Sequence, residues 1–241
     1  MIPKVIHYCW FGKGKKPYLI RKCIRSWHKI LPDFEFKEWN ETNFDINICP
    51  FVRQAYDEKK WAFVADYCRF YALHKEGGVY LDTDIQVFRH LKPFLDNNFF
   101  AGTEVRSSLN ADDFITMDAS TFGCIKGHWF TKKCLEFYND KPFRLEDGSI
   151  PGGVVQVVAT RILEPYGYKR INCDQTIKDI KIYSTEYFAN ITTINKGKNL
   201  YALHHFDGSW IADENRGFLY KFCRKNDLMH YYRLLEKILK H

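Results

Sequence analysis

The sequence predicts an α/β fold, because strand-like and helix-like segments alternate along residues 1–85. An apolar strand is expected at residues 5–10. Residues 18–30 then form an amphipathic helix, since apolar residues recur there every three to four positions. Residues 34–39 alternate between aromatic and charged side chains, which indicates a second strand. Strand–helix–strand units of this kind build parallel sheets, so we expect the first strands to be parallel.

The clearest predicted helix covers residues 61–76 and ends at Gly77-Gly78, since glycine tolerates the left-handed backbone that ends helices. A short buried strand, Val79–Leu81, follows it directly. The remaining predicted elements are strands at 99–102, 122–125 and 201–205, and helices at 129–138, 153–164 and 227–240.

The charge of the chain is placed unevenly. Residues 1–37 hold nine basic and two acidic residues, and residues 216–241 hold seven and two, within a net charge of +7. Basic ends fit a surface that faces phosphates or anionic lipid, or a surface that is simply solvated. With 46% hydrophobic content in 241 residues, we expect a single domain over residues 1–241, with 216–241 as a C-terminal basic helical appendage.

Targeting signals are not evident in the sequence. No run approaches the roughly 20 apolar residues that span a membrane, and residues 1–7 lack the apolar core of a signal peptide. We therefore expect a cytoplasmic protein whose basic tail could make peripheral contact with the inner membrane face. The eight cysteines show neither Cys-x-x-Cys pairs nor zinc-ligand spacing, so reduced, buried thiols are expected.

The most informative segment reads Gly-Gly-Val-Tyr-Leu-Asp-Thr-Asp and covers residues 77–84. Its two carboxylates, Asp82 and Asp84, follow a buried strand, and ligands bind beyond the carboxyl ends of parallel strands. Two carboxylates one residue apart can hold a divalent cation, which prefers oxygen ligands. A cation there implies a bound anion such as a diphosphate. Two surface aspartates in a turn are the alternative interpretation.

Two other clusters carry chemistry. Asp66 and Arg69 lie one helical turn apart, and Asp66 stands in an otherwise apolar stretch. A carboxylate there is costly unless it is paired or bound, so we favour a ligand role over a surface ion pair. The second cluster, His204–Trp210, reads His-His-Phe-Asp-Gly-Ser-Trp. A histidine there could complete a metal site, and its serine and tryptophan could donate hydrogen bonds to a phosphate.

The motifs occur in a fixed order: Ile2–His7 with Trp10, Ala65-Asp66-x-x-Arg69, Gly77–Asp84, and His205 to Ser209-Trp210. This pattern resembles glycosyltransferase family 32, the sugar-transferase family with an Asp-x-Asp motif. That family includes bacterial capsular polysaccharide transferases and the yeast initiating α-1,6-mannosyltransferase, and the large clostridial glucosylating toxins look like distant relatives. The match is strongest at residues 2–10, 61–94 and 201–210.

The resemblance implies a GT-A fold, a nucleotide-sugar donor that is expected to be a UDP-hexose, Mn²⁺ or Mg²⁺, and retention of anomeric configuration. It also implies a glycan or lipid-linked glycan acceptor in bacterial surface polysaccharide synthesis. No family motif covers residues 105–120, which include Asp112-Asp113, and this region is a candidate acceptor loop. No residue is a clear nucleophile.

The same resemblance implies a role for each matched residue. Asp84 would ligate the metal and Asp82 would contact it through water, with His205 as the third contact and His204 as the alternative. The implied catalytic carboxylates are Asp66, Asp82 and Asp84. The implied donor-binding residues are His7, Trp10, Asp66, Arg69, Tyr80, Asp82, Thr83, Ser209 and Trp210, with Trp10 stacked on the nucleobase and Ser209 and Trp210 on the diphosphate.

Two other functions stay open on the sequence. A metal-dependent nucleotide-sugar hydrolase would use the same donor site and pass the sugar to water. A non-enzymatic basic module would bind membranes or nucleic acid, and salt-sensitive binding without a nucleotide effect would favour it. No nucleic-acid-binding motif accompanies the basic charge, so nucleic acid is not the partner that we expect.

Overall fold

A computed structural model describes residues 1–108, 111–190 and 199–206 of the chain. The helices in this part are α1 Tyr18–Ile30, α2 Pro50–Asp57, α3 Trp61–Glu76, α4 Trp129–Asn139 and α5 Val155–Leu163, with short 3₁₀ turns at Lys92–Phe94 and Glu164–Tyr166. The strands are β1 Val5–Cys9, β2 Glu35–Trp39, β3 Gly78–Leu81, β4 Ile85–Val87, β5 Phe99–Ser108, β6 Ala111–Cys124, β7 Gln175–Ile177, β8 Ile180–Tyr183, β9 Phe188–Asn190 and β10 Ala202–His204.

A seven-stranded mixed sheet forms the centre of the fold, with the order β2-β1-β3-β6-β5-β8-β7. Strand β1 is parallel to both β2 and β3, whereas β6 runs antiparallel to β3 and β5. A smaller sheet has the order β4-β10-β9. The expected α/β fold is therefore confirmed, including the parallel pairing of the first three strands.

Both faces of the large sheet are covered by apolar side chains. One cluster joins α2, α3, α4 and α5 to the sheet through residues such as Phe51, Phe70 and Phe122. The other lies beneath α1 and the small sheet and includes Trp27. The Trp27 indole is fully buried and donates a hydrogen bond to the Ile85 carbonyl at 2.7 Å. Helix α1 thereby fixes the start of β4, which follows the Asp-x-Asp motif.

The turn between α3 and β3 requires glycine at both positions. Gly77 has φ of +71° and Gly78 has φ of +111°, in the backbone region that side chains disfavour. A Cβ on Gly78 would also lie 2.7 Å from the Val5 carbonyl oxygen and 2.9 Å from His7 Nε2. The chain can therefore enter β3 beside β1 only with glycine here, and this entry sets the position of Asp82 and Asp84.

Several predicted elements are confirmed, and one region is corrected. The helices α1, α3, α4 and α5 and the strands β1, β2 and β3 lie within a few residues of their expected positions. Residues 105–120 were expected to form an acceptor loop, but most of them belong to the long antiparallel strands β5 and β6. The expectation of a loop was wrong because a cross-strand partner, rather than local composition, extends these strands. The acceptor role of this region stays a prediction.

Other predictions fall on parts of the chain that are not described. The tail helix at 227–240 and the appendage at 216–241 lie outside the described residues, and the single domain over residues 1–241 stays a prediction. No described helix is both long and apolar enough to cross a membrane. Among the described cysteines, six are buried free thiols and Cys173 is an exposed one.

Candidate active site

The Asp-x-Asp motif lies in the turn that joins the two sheets. The backbone N–H of Asp82 donates to the Ser120 carbonyl at 2.8 Å, and the N–H of Ile85 donates to the Asp82 carbonyl at 2.9 Å. Ile85 then pairs with His204, because β4 and β10 are antiparallel neighbours. This pairing brings His204 from late in the chain to the two aspartates.

Asp82, Asp84 and His204 form a cluster that could hold a metal ion. One ligand atom from each lies within 4.8 Å of the other two, and His204 Nε2 is 3.3 Å from Asp84 Oδ1. Asp84 and His204 are buried, and Asp82 keeps 23% of its side chain exposed. Carboxylate oxygens with one imidazole nitrogen suit Mn²⁺ or Mg²⁺ when other coordination positions stay open for substrate oxygens. The residues present therefore fit a divalent cation.

Electrostatics in this cluster favour a positive charge at its centre. Burial lowers the pKa of His204, but the carboxylates of Asp84, Asp82 and Asp118 outweigh that effect and raise the pKa to about 9. Burial also raises the pKa of Asp82, chiefly because its charge is costly away from water. The surplus of carboxylates is what a divalent cation would neutralise.

Arg69 connects α3 to the motif. Its guanidinium donates to Asp66 Oδ1 at 2.8 Å and to the Ala119 carbonyl at 2.6 Å, and it lies 3.4 Å from Asp82 Oδ1. The Arg69 Cζ atom is 4.9 Å from the centre of the Tyr80 ring, and the Tyr80 hydroxyl donates to Asp82 Oδ1 at 2.9 Å. These contacts hold the Asp82 carboxylate from two sides.

Asp66 and Arg69 are a buried pair rather than a surface ion pair, with 7% and 4% of each residue exposed. Burial raises the pKa of Asp66 to about 7, although the charge of Arg69 opposes this shift. Burial pulls the pKa of Arg69 down, but Asp82, Tyr80 and Asp66 raise it well above its usual value. A buried carboxylate held in this way beside the motif is suited to accept hydrogen bonds from a ligand.

Two further carboxylates, Glu104 and Asp118, lie next to His204 and were missed from the sequence. Their ligand atoms and one of His204 all lie within 4.8 Å of one another. Burial, followed by the charge of Glu104, raises the pKa of Asp118 to about 6. Neither residue belongs to a recognisable motif, and only the pairing of β5 with β6 brings them together. An isolated acid within an apolar strand was the one available signal.

Two predicted site residues make contacts other than the expected ones. His205 was the expected metal contact, but its Nε2 lies 3.0 Å from Gln86 Oε1, and His204, the alternative, contacts Asp84. His7 was expected to bind donor, but it is fully buried. Its Nε2 bonds the Gly77 carbonyl at 2.8 Å and its Nδ1 accepts from Trp39 at 3.0 Å. Both ring nitrogens of His7 therefore serve the fold.

The remaining donor-binding predictions stay predictions. Trp10 directly follows β1 and is partly exposed, and its indole N–H donates to the Gly14 carbonyl at 2.7 Å. Because β1 and β3 are parallel, Trp10 lies at the same edge of the sheet as Thr83. Ser209 and Trp210 lie outside the described residues.

Part of the chain is similar to known glycosyltransferases. Residues 17–101 match the family model described as a glycosyltransferase sugar-binding region containing a DXD motif. An uncharacterized glycosyltransferase of Acanthamoeba polyphaga mimivirus is 35% identical over 106 residues, which are 42% of this chain and 42% of that protein. Inositol phosphoceramide mannosyltransferase 3 of Schizosaccharomyces pombe is 32% identical over 98 residues, which are 39% of this chain and 27% of that protein. The chain thus spans less than half the length of these two relatives.

Solved glycosyltransferases show a looser overall likeness. A galactosyltransferase in complex with donor and acceptor sugar analogs has 13% identity and a TM-score of 0.44, over 87% of this chain and 92% of that one. Residues 17–101, rather than this likeness, carry the match to a glycosyltransferase sugar-binding region containing a DXD motif. The resemblance read from the sequence is thereby confirmed, and Asp66, Arg69, Tyr80, Asp82 and Asp84 all fall within the matched region.

Proposed function

We propose that this chain is a metal-dependent glycosyltransferase that moves a hexose from a nucleotide sugar, expected to be UDP-linked, to a hydroxyl acceptor. The cluster of Asp82, Asp84 and His204 carries this proposal, because it joins a cation-binding donor set to a DXD sugar-binding region. The buried Asp66–Arg69 pair beside it supplies hydrogen-bonding groups for a polar ligand.

The roles of the residues follow from their contacts. Asp84 and His204 would hold Mn²⁺ or Mg²⁺, and Asp82 would lie between the metal's water and the ribose. When bound, the cation would stabilise the negative charge that develops on the departing diphosphate. Arg69 keeps Asp82 in place and holds Asp66 ready to bind hydroxyls of the donor sugar. Trp10 would stack on the base, and Ser209 and Trp210 would bind the diphosphate.

The acceptor and the stereochemistry are proposed from the family resemblance. Transfer to a glycan or lipid-linked glycan of a bacterial surface polysaccharide, with retention, agrees with that resemblance. The basic segment at 216–241 would then rest on the anionic inner face of the membrane. Equal pelleting of the full chain and a 1–224 chain with anionic vesicles would contradict this membrane contact.

The donor can be identified by ligand-induced stabilisation. Purified protein is heated with UDP-glucose, UDP-galactose, UDP-N-acetylglucosamine or GDP-mannose, each with and without Mn²⁺. A ligand that binds only the folded state raises the Tm. We therefore expect one nucleotide sugar to raise the Tm, and to do so only when Mn²⁺ is present. No shift with any donor would contradict a nucleotide-sugar site.

Turnover tests the proposal itself. Nucleoside diphosphate release from the selected donor is measured with Mn²⁺ for the wild type, for Asp84→Asn and for Asp147→Asn. Asp147 is an exposed carboxylate remote in sequence from the site and serves as the matched control. We expect Asp84→Asn to lower release about 100-fold, since it removes a charge that holds the metal, and Asp147→Asn to leave it unchanged. Full activity in Asp84→Asn would refute the metal role. Free hexose as the sole product, even when methyl glycosides are supplied as acceptors, would favour a hydrolase.

A further inference from the structure

We infer that Glu104, Asp118 and Gln156 form a subsite for the hydroxyl groups of a sugar acceptor. This subsite lies next to the candidate metal site of Asp82, Asp84 and His204. The inference rests on the proposed glycosyltransferase function and names the part of the same site that receives the second substrate. None of the three residues belongs to residues 17–101, the region that carries the family match.

The subsite shares His204 with the cluster of the Asp-x-Asp motif. Glu104, Asp118 and His204 have ligand atoms within 4.8 Å of one another, and His204 is the member that this group shares with Asp82 and Asp84. Glu104 is 3% exposed, Asp118 is 6% and Gln156 is 7%. The Gln156 amide Nε2 donates to Glu104 Oε2 at 3.3 Å, which connects α5 to β5. These polar groups are buried together beside the expected position of the reacting donor.

A buried hydroxyl indicates that the group serves a ligand. Thr116 is fully buried, and its Oγ1 has no hydrogen-bond partner within the described part of the chain. Thr116 pairs directly with Glu104 across β5 and β6, so the two side chains lie on the same face of the hairpin. Asp118 follows two residues later and shares that face. An unpaired buried hydroxyl is unfavourable for folding, and this one lies on the face of the two carboxylates, where a bound polar ligand would pair with it.

An irregularity in the hairpin aims Asp118 at this position. Ala101 pairs with Phe122 but Thr103 pairs with Met117, so residues 118–121 bulge opposite a single residue of β5. Bulges of this kind redirect side chains and are frequent beside active sites. Asp118 Oδ1 accepts hydrogen bonds from the Ser120 N–H at 2.7 Å and the Ser120 hydroxyl at 2.6 Å.

The bulge is also attached to the donor side of the site. Arg69, which binds Asp66, donates to the Ala119 carbonyl within the bulge at 2.6 Å. The same guanidinium approaches Asp82 at 3.4 Å. The carboxylate of Asp118 is therefore fixed relative to the groups that are expected to hold the donor. Fixed placement of two substrates is what bimolecular transfer requires.

The chemistry of the group suits sugar hydroxyls better than a second cation. A divalent cation binds lone pairs and cannot use an N–H group, whereas Gln156 presents N–H groups beside the carboxylates. A sugar hydroxyl both donates and accepts, so it can donate to Glu104 or Asp118 and accept from Gln156 or Thr116. An acceptor hydroxyl bound here would lie next to the donor, where it must approach the anomeric carbon.

The experiment compares two buried threonines that differ in the face they occupy. Thr116→Val removes the hydroxyl from the face of Glu104. Thr103→Val removes an equally buried and unpaired hydroxyl from the opposite face, where Thr103 lies beside Met117. Glu104→Gln is the third variant, since it keeps the shape and removes the charge. For each protein, nucleoside diphosphate release from the selected donor with Mn²⁺ is measured against the concentration of methyl glucoside, galactoside, mannoside and N-acetylglucosaminide.

We expect at least one methyl glycoside to accelerate release by the wild type. Thr116→Val should raise the KM for that glycoside about tenfold, and Glu104→Gln should lower its kcat/KM by about 10- to 100-fold because a charge-assisted hydrogen bond is lost. Thr103→Val should behave as the wild type. Calorimetry should show unchanged affinity for Mn²⁺ with UDP in all three variants, and Thr116→Val should fold at least as stably as the wild type.

Each of the other possible results contradicts one specific claim. Absence of any Mn²⁺-dependent release by the wild type overturns the proposed function and this inference with it. Release that no glycoside accelerates, or an unchanged glycoside KM in both Thr116→Val and Glu104→Gln, overturns the inference alone. Weaker binding of Mn²⁺ with UDP in these variants assigns the residues to the donor site. Two bound Mn²⁺ ions in the wild type and one in Glu104→Gln assign the group to a second cation.

Discussion

Arg69 sets the charge balance of the candidate active site. It is 4% exposed and lies between the carboxylates of Asp66 and Asp82, so neither acid is left in an apolar environment without a positive partner. Its bond to the Ala119 carbonyl extends the same support to the β5–β6 hairpin. One side chain thus connects α3, the Asp-x-Asp turn and the bulge.

Removal of this guanidinium should destabilise the fold. We expect Arg69→Met to lower the free energy of unfolding by about 3–5 kcal/mol, because it leaves buried carboxylates unpaired. The double variant Asp66→Asn/Arg69→Met should lose less, since one of those charges is also removed. Urea denaturation at pH 7 measures both changes. An Arg69→Met protein as stable as the wild type would contradict this role.

His7 should make stability depend on pH. Burial lowers the pKa of His7 from 6.5 to about 4 in the folded state, and its Nδ1 already accepts from Trp39. Between these pH values the unfolded chain binds a proton that the folded chain does not, so stability falls as the pH drops from 6.5 towards 4. The loss amounts to about 3 kcal/mol at the lower end. Above pH 6.5 this contribution is fully present.

Two variants test whether His7 causes this pH dependence of stability. Unfolding free energies are measured from pH 4 to pH 7 for His7→Gln and for His28→Gln, whose histidine is exposed on α1. The His7→Gln protein should show a flatter pH profile than the wild type, and His28→Gln should keep the wild-type slope. Equal slopes in the two variants would show that the buried imidazole does not cause the dependence.

At the scale of elements, the α3–β3 turn positions the motif. Gly78 lies against β1, where a Cβ would approach the Val5 carbonyl oxygen to 2.7 Å, whereas Gly148 has a φ of +79° and nothing within 4 Å of its Cβ position. The two glycines therefore both have a positive φ and differ in surroundings. Comparing the stability lost on alanine substitution at the two positions distinguishes the cost of the backbone conformation from the cost of the contact with β1.

Alanine at these two positions should give different losses. We expect Gly148→Ala to cost about 1 kcal/mol from the left-handed backbone alone, and Gly78→Ala to cost about 3 kcal/mol or more because β1 and β3 must also separate. Chemical denaturation measures the difference. Similar losses at both positions would mean that the contact with β1 tolerates a methyl group.

At the scale of the whole molecule, the sequence predicted those parts of the site that depend on local signals. Asp82 and Asp84 could be placed because a parallel strand must end at a ligand-binding edge, and Asp66 because a carboxylate in an apolar helix needs a partner. The choice between His204 and His205 depended on the pairing of β10 with β4, which no local pattern reveals. The structural contacts of His7 were not predicted, because a buried polar residue beside a motif has the same sequence pattern as a ligand-binding one.

The grouping of Glu104, Asp118 and Gln156 could not be predicted, again because it depends on contacts between distant elements. They come from β5, the bulge in β6 and α5, and they meet only through a register shift in the hairpin. Sequence spacing specifies contacts within a helix or strand, while contacts between distant elements follow from the packed fold. Residues 105–120, which include Asp118, were a candidate acceptor region from the sequence, but the grouping of Asp118 with Glu104 and Gln156 appears only in the structure.

The central claim is that Asp82, Asp84 and His204 hold the divalent cation of a nucleotide-sugar site. Crystals of the full chain grown with MnCl₂ and UDP, measured for anomalous scattering from manganese, test it most directly. We expect one anomalous peak within about 2.5 Å of Asp84 and His204 side-chain atoms, with the UDP diphosphate on its open side. A peak at another position, or ordered UDP without manganese near Asp84, would contradict the claim.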